Sequence, residues 1–173
     1  MRSSPGNHTI DTGKTMPVSF LAYKGLKKII SFDDEVDAVE NGNEFVTVYG
    51  HPWSPFFTEG LDVNARYVCA ERKRFFLFDD HDEFVDWVME LSYLVGCEGK
   101  IPAADSKVAF RDIFRSGNGG MIGPVASAKL VCEFDKWDDR VRLHRRGKFY
   151  KHYLLMRNMF EYASVDGAVN IYG

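Results

Sequence analysis

With 173 residues, 45% of them hydrophobic and 14% aromatic, the chain is sized for one domain and has the material for one hydrophobic core. A formal net charge of −3 excludes a surface built throughout for nucleic acid or an anionic membrane, because phosphate binding needs a positive field. The three cysteines, Cys69, Cys97 and Cys132, are odd in number and too scattered for a zinc site or a redox pair, so they read as reduced and structural.

Residues 1–15 are polar and rich in Ser, Thr and Gly, which predicts a flexible tail ahead of a single domain over 16–173. From Pro17 to about Leu77 β-formers and turn residues dominate. Val18–Tyr23, Glu44–Tyr49, Arg66–Glu71 and Phe75–Phe78 read as strands, with a turn at Asn41-Gly42-Asn43. His51-Pro52-Trp53-Ser54-Pro55 reads as a loop, since proline withholds a ladder donor.

After Asp79 the apolar period changes from two to about 3.6. Phe84, Trp87, Val88, Leu91, Leu94 and Val95 share one face of a helix over 81–96, and Asp80 with Glu83 has the spacing of a capping box. A shorter helix is predicted over 106–115, stopped by Gly117-Asn118-Gly119-Gly120. Pro124 then opens a helix with the stripe Ser127, Leu130, Val131, Phe134, Trp137 and Val141. The last helix carries Phe149, Tyr153, Met156, Phe160 and Ala163. Gly167 is its expected cap and Ala168–Tyr172 a closing strand. Segregated strands and helices predict an α+β fold: a mostly antiparallel N-terminal sheet against three or four C-terminal helices, with one short returning strand.

The run from Gly120 through Gly123-Pro124 to Leu130, with Glu133-Phe134-Asp135, Phe149-Tyr150, Met159–Ala163 and Asp166–Val169, is similar to a family of uncharacterised small proteins of bacterial and phage genomes. The resemblance implies no activity. The family pattern has Cys-Glu-Gly ahead of Ile-Gly-Pro where this chain has Gly-Asn-Gly-Gly.

Several segments invite a functional reading. The junction from Ser116 to Pro124 is glycine-rich and leads into a helix, where free N–H groups can hold phosphate or carboxylate. Asn118, Gly119, Gly120, Gly123, Ser127 and Arg115 are its candidate contacts, although the run is neither a P-loop nor a dinucleotide fingerprint, and a plain interhelical connector is the simpler reading. The acidic clusters Asp33-Asp34-Glu35 and Asp79–Glu83 suit helix N-termini better than a metal, so neither metal nor cofactor is expected. None of the five histidines sits in a recognisable catalytic setting, which weighs against an enzyme.

The basic run over 140–152 holds Arg140, Arg142, Arg145, Arg146, Lys148 and Lys151, with Phe149 and Tyr150 available to stack on bases. Arg72-Lys73-Arg74 is a second basic patch. Trp53, Phe56 and Phe57 are apolar for a loop, and either fold back over the sheet or anchor a partner.

These features lead to the expectation of a cytoplasmic, non-enzymatic module of the immunity, inhibitor or anti-defence type. It would occlude a partner protein through Trp53, Phe56, Phe57, Arg142, Arg145, Arg146 and Lys148. A small-ligand or nucleotide-phosphate binder at Gly117–Gly123 is the alternative, and nucleic-acid binding through 140–152 the third reading. No membrane association is expected.

Overall fold

The computed structural model describes residues 17–50, 55–116, 120–144 and 147–172. The expected tail over 1–15 and Trp53 lie outside them. Among the described residues no helix is long and apolar enough to cross a membrane.

Strand β1 (Val18–Lys28) is the spine of the fold. Phe20 and Ala22 turn to one side and Leu21 and Tyr23 to the other, and all four are buried, as a strand covered on both faces requires. It pairs antiparallel with β3 (Arg66–Phe78) on one side and β5 (Ala168–Tyr172) on the other. With β2 (Glu44–Thr47) and β4 (Gly120–Ile122) added outside, the sheet has the order β2-β3-β1-β5-β4 and is antiparallel throughout. Helices α2 (His81–Leu94), α4 (Pro124–Arg142) and α5 (Phe149–Ala163) share one core with Phe20, Phe75 and Leu77 of the sheet. The fold is α+β, with strands leading, helices following and β5 returning beside β1.

Four local expectations are corrected. Helix α1 (Phe32–Glu40), marked in the sequence only by the fit of Asp33-Asp34-Glu35 to a helix N-terminus, joins β1 to β2 within a stretch expected to hold strands and turns. Ser31 caps it: its Oγ accepts the Asp34 N–H at 3.1 Å while Asp34 Oδ2 accepts the Ser31 N–H at 3.0 Å. Only Ala38 of α1 is buried, and its apolar stripe, Phe32, Val36 and Val39 at i, i+4 and i+7, is left largely exposed. Second, β3 is one strand rather than two. Its exposed middle, Arg72-Lys73-Arg74, is held by backbone pairing with Leu21, Ala22 and Tyr23 of β1.

Third, the helix predicted over 106–115 contracts to α3 (Arg111–Arg115). Phe110 is left-handed, with φ 59°, and its N–H donates to Glu133 Oε2 at 2.6 Å, a geometry that cannot continue a helix from Ser106. Its ring is fully buried at 4.9 Å from Phe134 and 6.2 Å from Tyr153.

Fourth, Gly120–Ile122 is not a plain connector but β4, paired with Ile171, Asn170 and Val169. Gly167 also does more than end a helix: a Cβ there would lie 2.3 Å from the Tyr23 carbonyl oxygen and 2.7 Å from that of Ala163, so only glycine admits this approach of β1 to α5.

Candidate functional site

Helix α2 presents two stripes. Phe84, Trp87 and Leu91 enter the core, and Asp80 fixes the start of the helix by accepting the Glu83 N–H at 2.8 Å. On the outer side Val85, Met89 and Tyr93, spaced at i, i+4 and i+8, are 41%, 38% and 62% exposed. Beside them run three carboxylates, Glu83, Asp86 and Glu90. Facing this side of α2 is the end of α4 and the start of α5, which contribute His144, Lys148, Phe149 and His152.

The space between these walls is a trough. One part, about 270 Å³, has Trp87 and Phe149 as apolar lining and Glu83, Asp86 and Glu90 on one side. The other, about 570 Å³, is lined by Met89, Tyr93, Leu94 and His144. Asp86 and Glu90 belong to both, so the two run into each other along α2.

Most charges in the trough are matched. Lys148 Nζ lies 2.7 Å from Asp79 Oδ2 and 3.4 Å from Glu83 Oε1, which raises the lysine pKa and lowers that of Asp79. His144 Nε2 bonds to Glu90 Oε1, and the Trp87 indole N–H donates to the Phe149 carbonyl at 3.2 Å. Burial pushes the His152 imidazole below its usual pKa, with its ring 4.6 Å from that of Phe78. Asp86 is the exception: it is exposed and, among the described residues, makes no hydrogen bond or ion pair. An unmatched carboxylate between an aromatic hollow and an apolar one suits a guest with a cationic end and an apolar body.

The residues singled out from sequence fare unevenly. Phe57 is only 1% exposed, which removes it as a partner anchor, since it folds back into the molecule. The side chain of Phe56 and all of Trp53, Asn118, Gly119, Arg145 and Arg146 lie outside what the structure describes. At the glycine-rich junction, Gly120 is in β4, the Gly123 N–H donates to the Phe57 carbonyl at 2.5 Å, and Ser127 is fully buried with its Oγ making no hydrogen bond among the described residues. Arg115 donates to the Pro102 carbonyl at 2.8 Å. The Gly123 N–H and the Arg115 guanidinium are thus spent on the fold, while Ser127 Oγ is sealed in without a partner among the described residues.

Among the described residues the two basic patches stay apart. Arg142 pairs with Asp138 and Tyr150, Arg140 lies 5.0 Å from the Trp137 ring, and Lys148 is held past the end of β3. Arg72 sits six residues back along that strand, roughly 20 Å away at about 3.3 Å per residue. Of the described residues expected to bind a partner protein, Lys148 alone lines the trough, and Phe149, expected to stack on bases, lines it too. Asp86, Met89, Glu90, Tyr93 and His144 were missed, although the spacing of Val85, Met89 and Tyr93 was there to be read as a second apolar stripe.

Among the described residues no group of three His, Cys, Asp or Glu side chains could hold a metal ion. Cys69, Cys97 and Cys132 are all free. No protein-family model matches the chain, and searches of curated proteins and of solved structures found no match.

Proposed function

We propose that the protein binds another protein along the α2 trough and occludes it, as an immunity protein or inhibitor would. The observation that carries this reading is the exposed stripe Val85, Met89 and Tyr93 beside the larger hollow, with Asp86, which makes no ion pair among the described residues, where the hollows meet. Apolar and aromatic side chains gathered at a concave surface are the usual core of an interface, and one charge beside them fixes orientation. The partner segment would carry an apolar anchor for Met89, Tyr93 and Leu94 and an Arg or Lys for Asp86.

The test is affinity purification of the tagged chain from its own cells, run in parallel with a Met89→Glu/Tyr93→Ala variant. Mass spectrometry reads the proteins and absorbance at 260 nm the nucleic acid. A stoichiometric protein held by the wild type and lost by the variant supports the trough. A partner retained equally by both, or nucleic acid recovered with no partner protein, overturns it.

A further inference from the structure

The open side of β3 carries an inference independent of the trough. β1 pairs with β3 from Tyr67 to Phe78, but β2 covers its other side only from Arg66 to Cys69. Beyond Cys69, among the described residues, no strand meets that side. A notch of about 270 Å³ opens where β2 stops and β3 runs on, lined by Gly42, Asn43, Glu44, Cys69, Ala70 and Arg72. Residues 70–74 are exposed in succession, as in a strand uncovered along one edge.

The side chains along this edge are selective. Arg72, Lys73 and Arg74 follow one another, and the Arg74 guanidinium lies 5.9 Å from the centre of the Phe76 ring, which is 64% exposed. Two copies meeting edge to edge in antiparallel register about Lys73 would set cation against cation, which opposes self-association. An acidic strand meets the opposite situation, and the fold already contains an example. Glu44, at the start of β2, reaches along the same side and places Oε1 3.0 Å from Arg72 Nη2.

We propose that the edge of β3 from Ala70 to Phe76 accepts an extended acidic segment of a partner protein as an added strand in line with β2. Main-chain hydrogen bonds would supply the pairing. A carboxylate placed against Arg74 would repeat the Glu44–Arg72 pair, and an apolar side chain would cover Phe76.

The probe is a fluorescein-labelled peptide of alternating Glu and Val, titrated with the full chain by fluorescence anisotropy. Three controls accompany it: the Lys-for-Glu peptide, the same acidic peptide with alternate amides N-methylated, and an unlabelled single-stranded oligonucleotide as competitor. The acidic peptide is expected to bind, to weaken at least tenfold on Arg72→Glu/Arg74→Glu substitution, and to weaken as salt rises from about 50 to about 200 mM. The Lys-for-Glu and N-methylated peptides are expected to fail.

Arg74→Gln, which leaves the Arg72–Glu44 pair intact, should weaken binding by a smaller factor. Met89→Glu/Tyr93→Ala should leave peptide binding unchanged, which separates this edge from the trough. No binding, equal binding of the N-methylated peptide, or displacement by the oligonucleotide at matching concentration overturns the proposal, the last by assigning the edge to nucleic acid.

Discussion

The start of α4 and the outer side of α2 both set helical backbone and polar side chains against a neighbouring segment, and they do opposite things with them. At α4 the chain folds in on itself. A Cβ on Gly123 would lie 2.8 Å from the Glu59 carbonyl oxygen, the glycine N–H is already bonded to Phe57, and Ser127 is sealed beneath. At α2 the carboxylates line open space and Asp86 has no described partner. The contrast teaches that glycine richness marks a ligand site only when the glycines leave room, and here the room lies along α2.

Steric substitution gives the sharpest test of that contrast. Gly167→Ala pushes a methyl group into the carbonyls of Tyr23 and Ala163, and Gly123→Ala does the same against Glu59. Because the obstructing atoms are backbone, each is expected to cost about 3 kcal/mol, Gly167→Ala the more, read from urea unfolding midpoints. A Gly123→Ala protein as stable as the wild type would break the claim that the α4 junction is closed.

Next in size is the buried contact that sets α3. Glu133 is pushed above the usual carboxylate range by burial, yet it accepts the N–H of the left-handed Phe110 and lies 3.6 Å from Lys129 Nζ. Glu133→Ala strands that N–H in the core, at an expected loss of about 1–3 kcal/mol in the same unfolding measurement. Glu133→Gln, which keeps an acceptor, is expected to lose less.

Along the trough the order of effects reverses. Tyr93→Ala is expected to change stability by no more than about 0.5 kcal/mol, because the ring is largely exposed. At an interface, losing such an anchor costs about 2 kcal/mol, or roughly thirtyfold in affinity, measurable by calorimetry with the captured partner. Equal losses of stability and affinity would make Tyr93 part of the fold rather than of a surface.

How much of this was legible in the sequence follows the same division. The α2, α4 and α5 helices were readable because each has a strong apolar stripe, from Phe84–Leu91 to Tyr153–Phe160, and the start of β1 because Val18–Tyr23 is a run of β-formers buried on both faces. Helix α1 was legible no further than its acidic first turn, because it is only 9 residues long, buries Ala38 alone and leaves its stripe Phe32, Val36 and Val39 largely exposed. The true start of the helix expected over 106–115 was hidden by a long-range bond, Glu133 to Phe110, that no local pattern contains. The trough needed two segments some sixty residues apart, Trp87 and Phe149, to be brought together, and sequence spacing is silent on that.

The smallest expected effect joins the two regimes, since His152 is buried yet contributes to the trough. Its neutral form is favoured by burial, partly offset by the nearby Glu83 and Asp79 carboxylates, while Lys148 and Lys151 add to the depression. Asp79 and Glu83 face His152 from the end of β3 and from α2, while Lys148 and Lys151 come from the start of its own helix, α5. A histidine whose folded pKa lies below its unfolded value binds fewer protons in the native state. Stability is therefore intact above the unfolded pKa of about 6.5 and falls as pH drops through it towards the folded pKa. Urea unfolding at stepped pH should show this acid-side slope in the wild type and a shallower one in His152→Phe, whose ring can occupy the place against Phe78. Identical slopes would mean that the trough already admits enough water for His152 to ionise freely, and the hollow beside Trp87 would then be wetter than its lining implies.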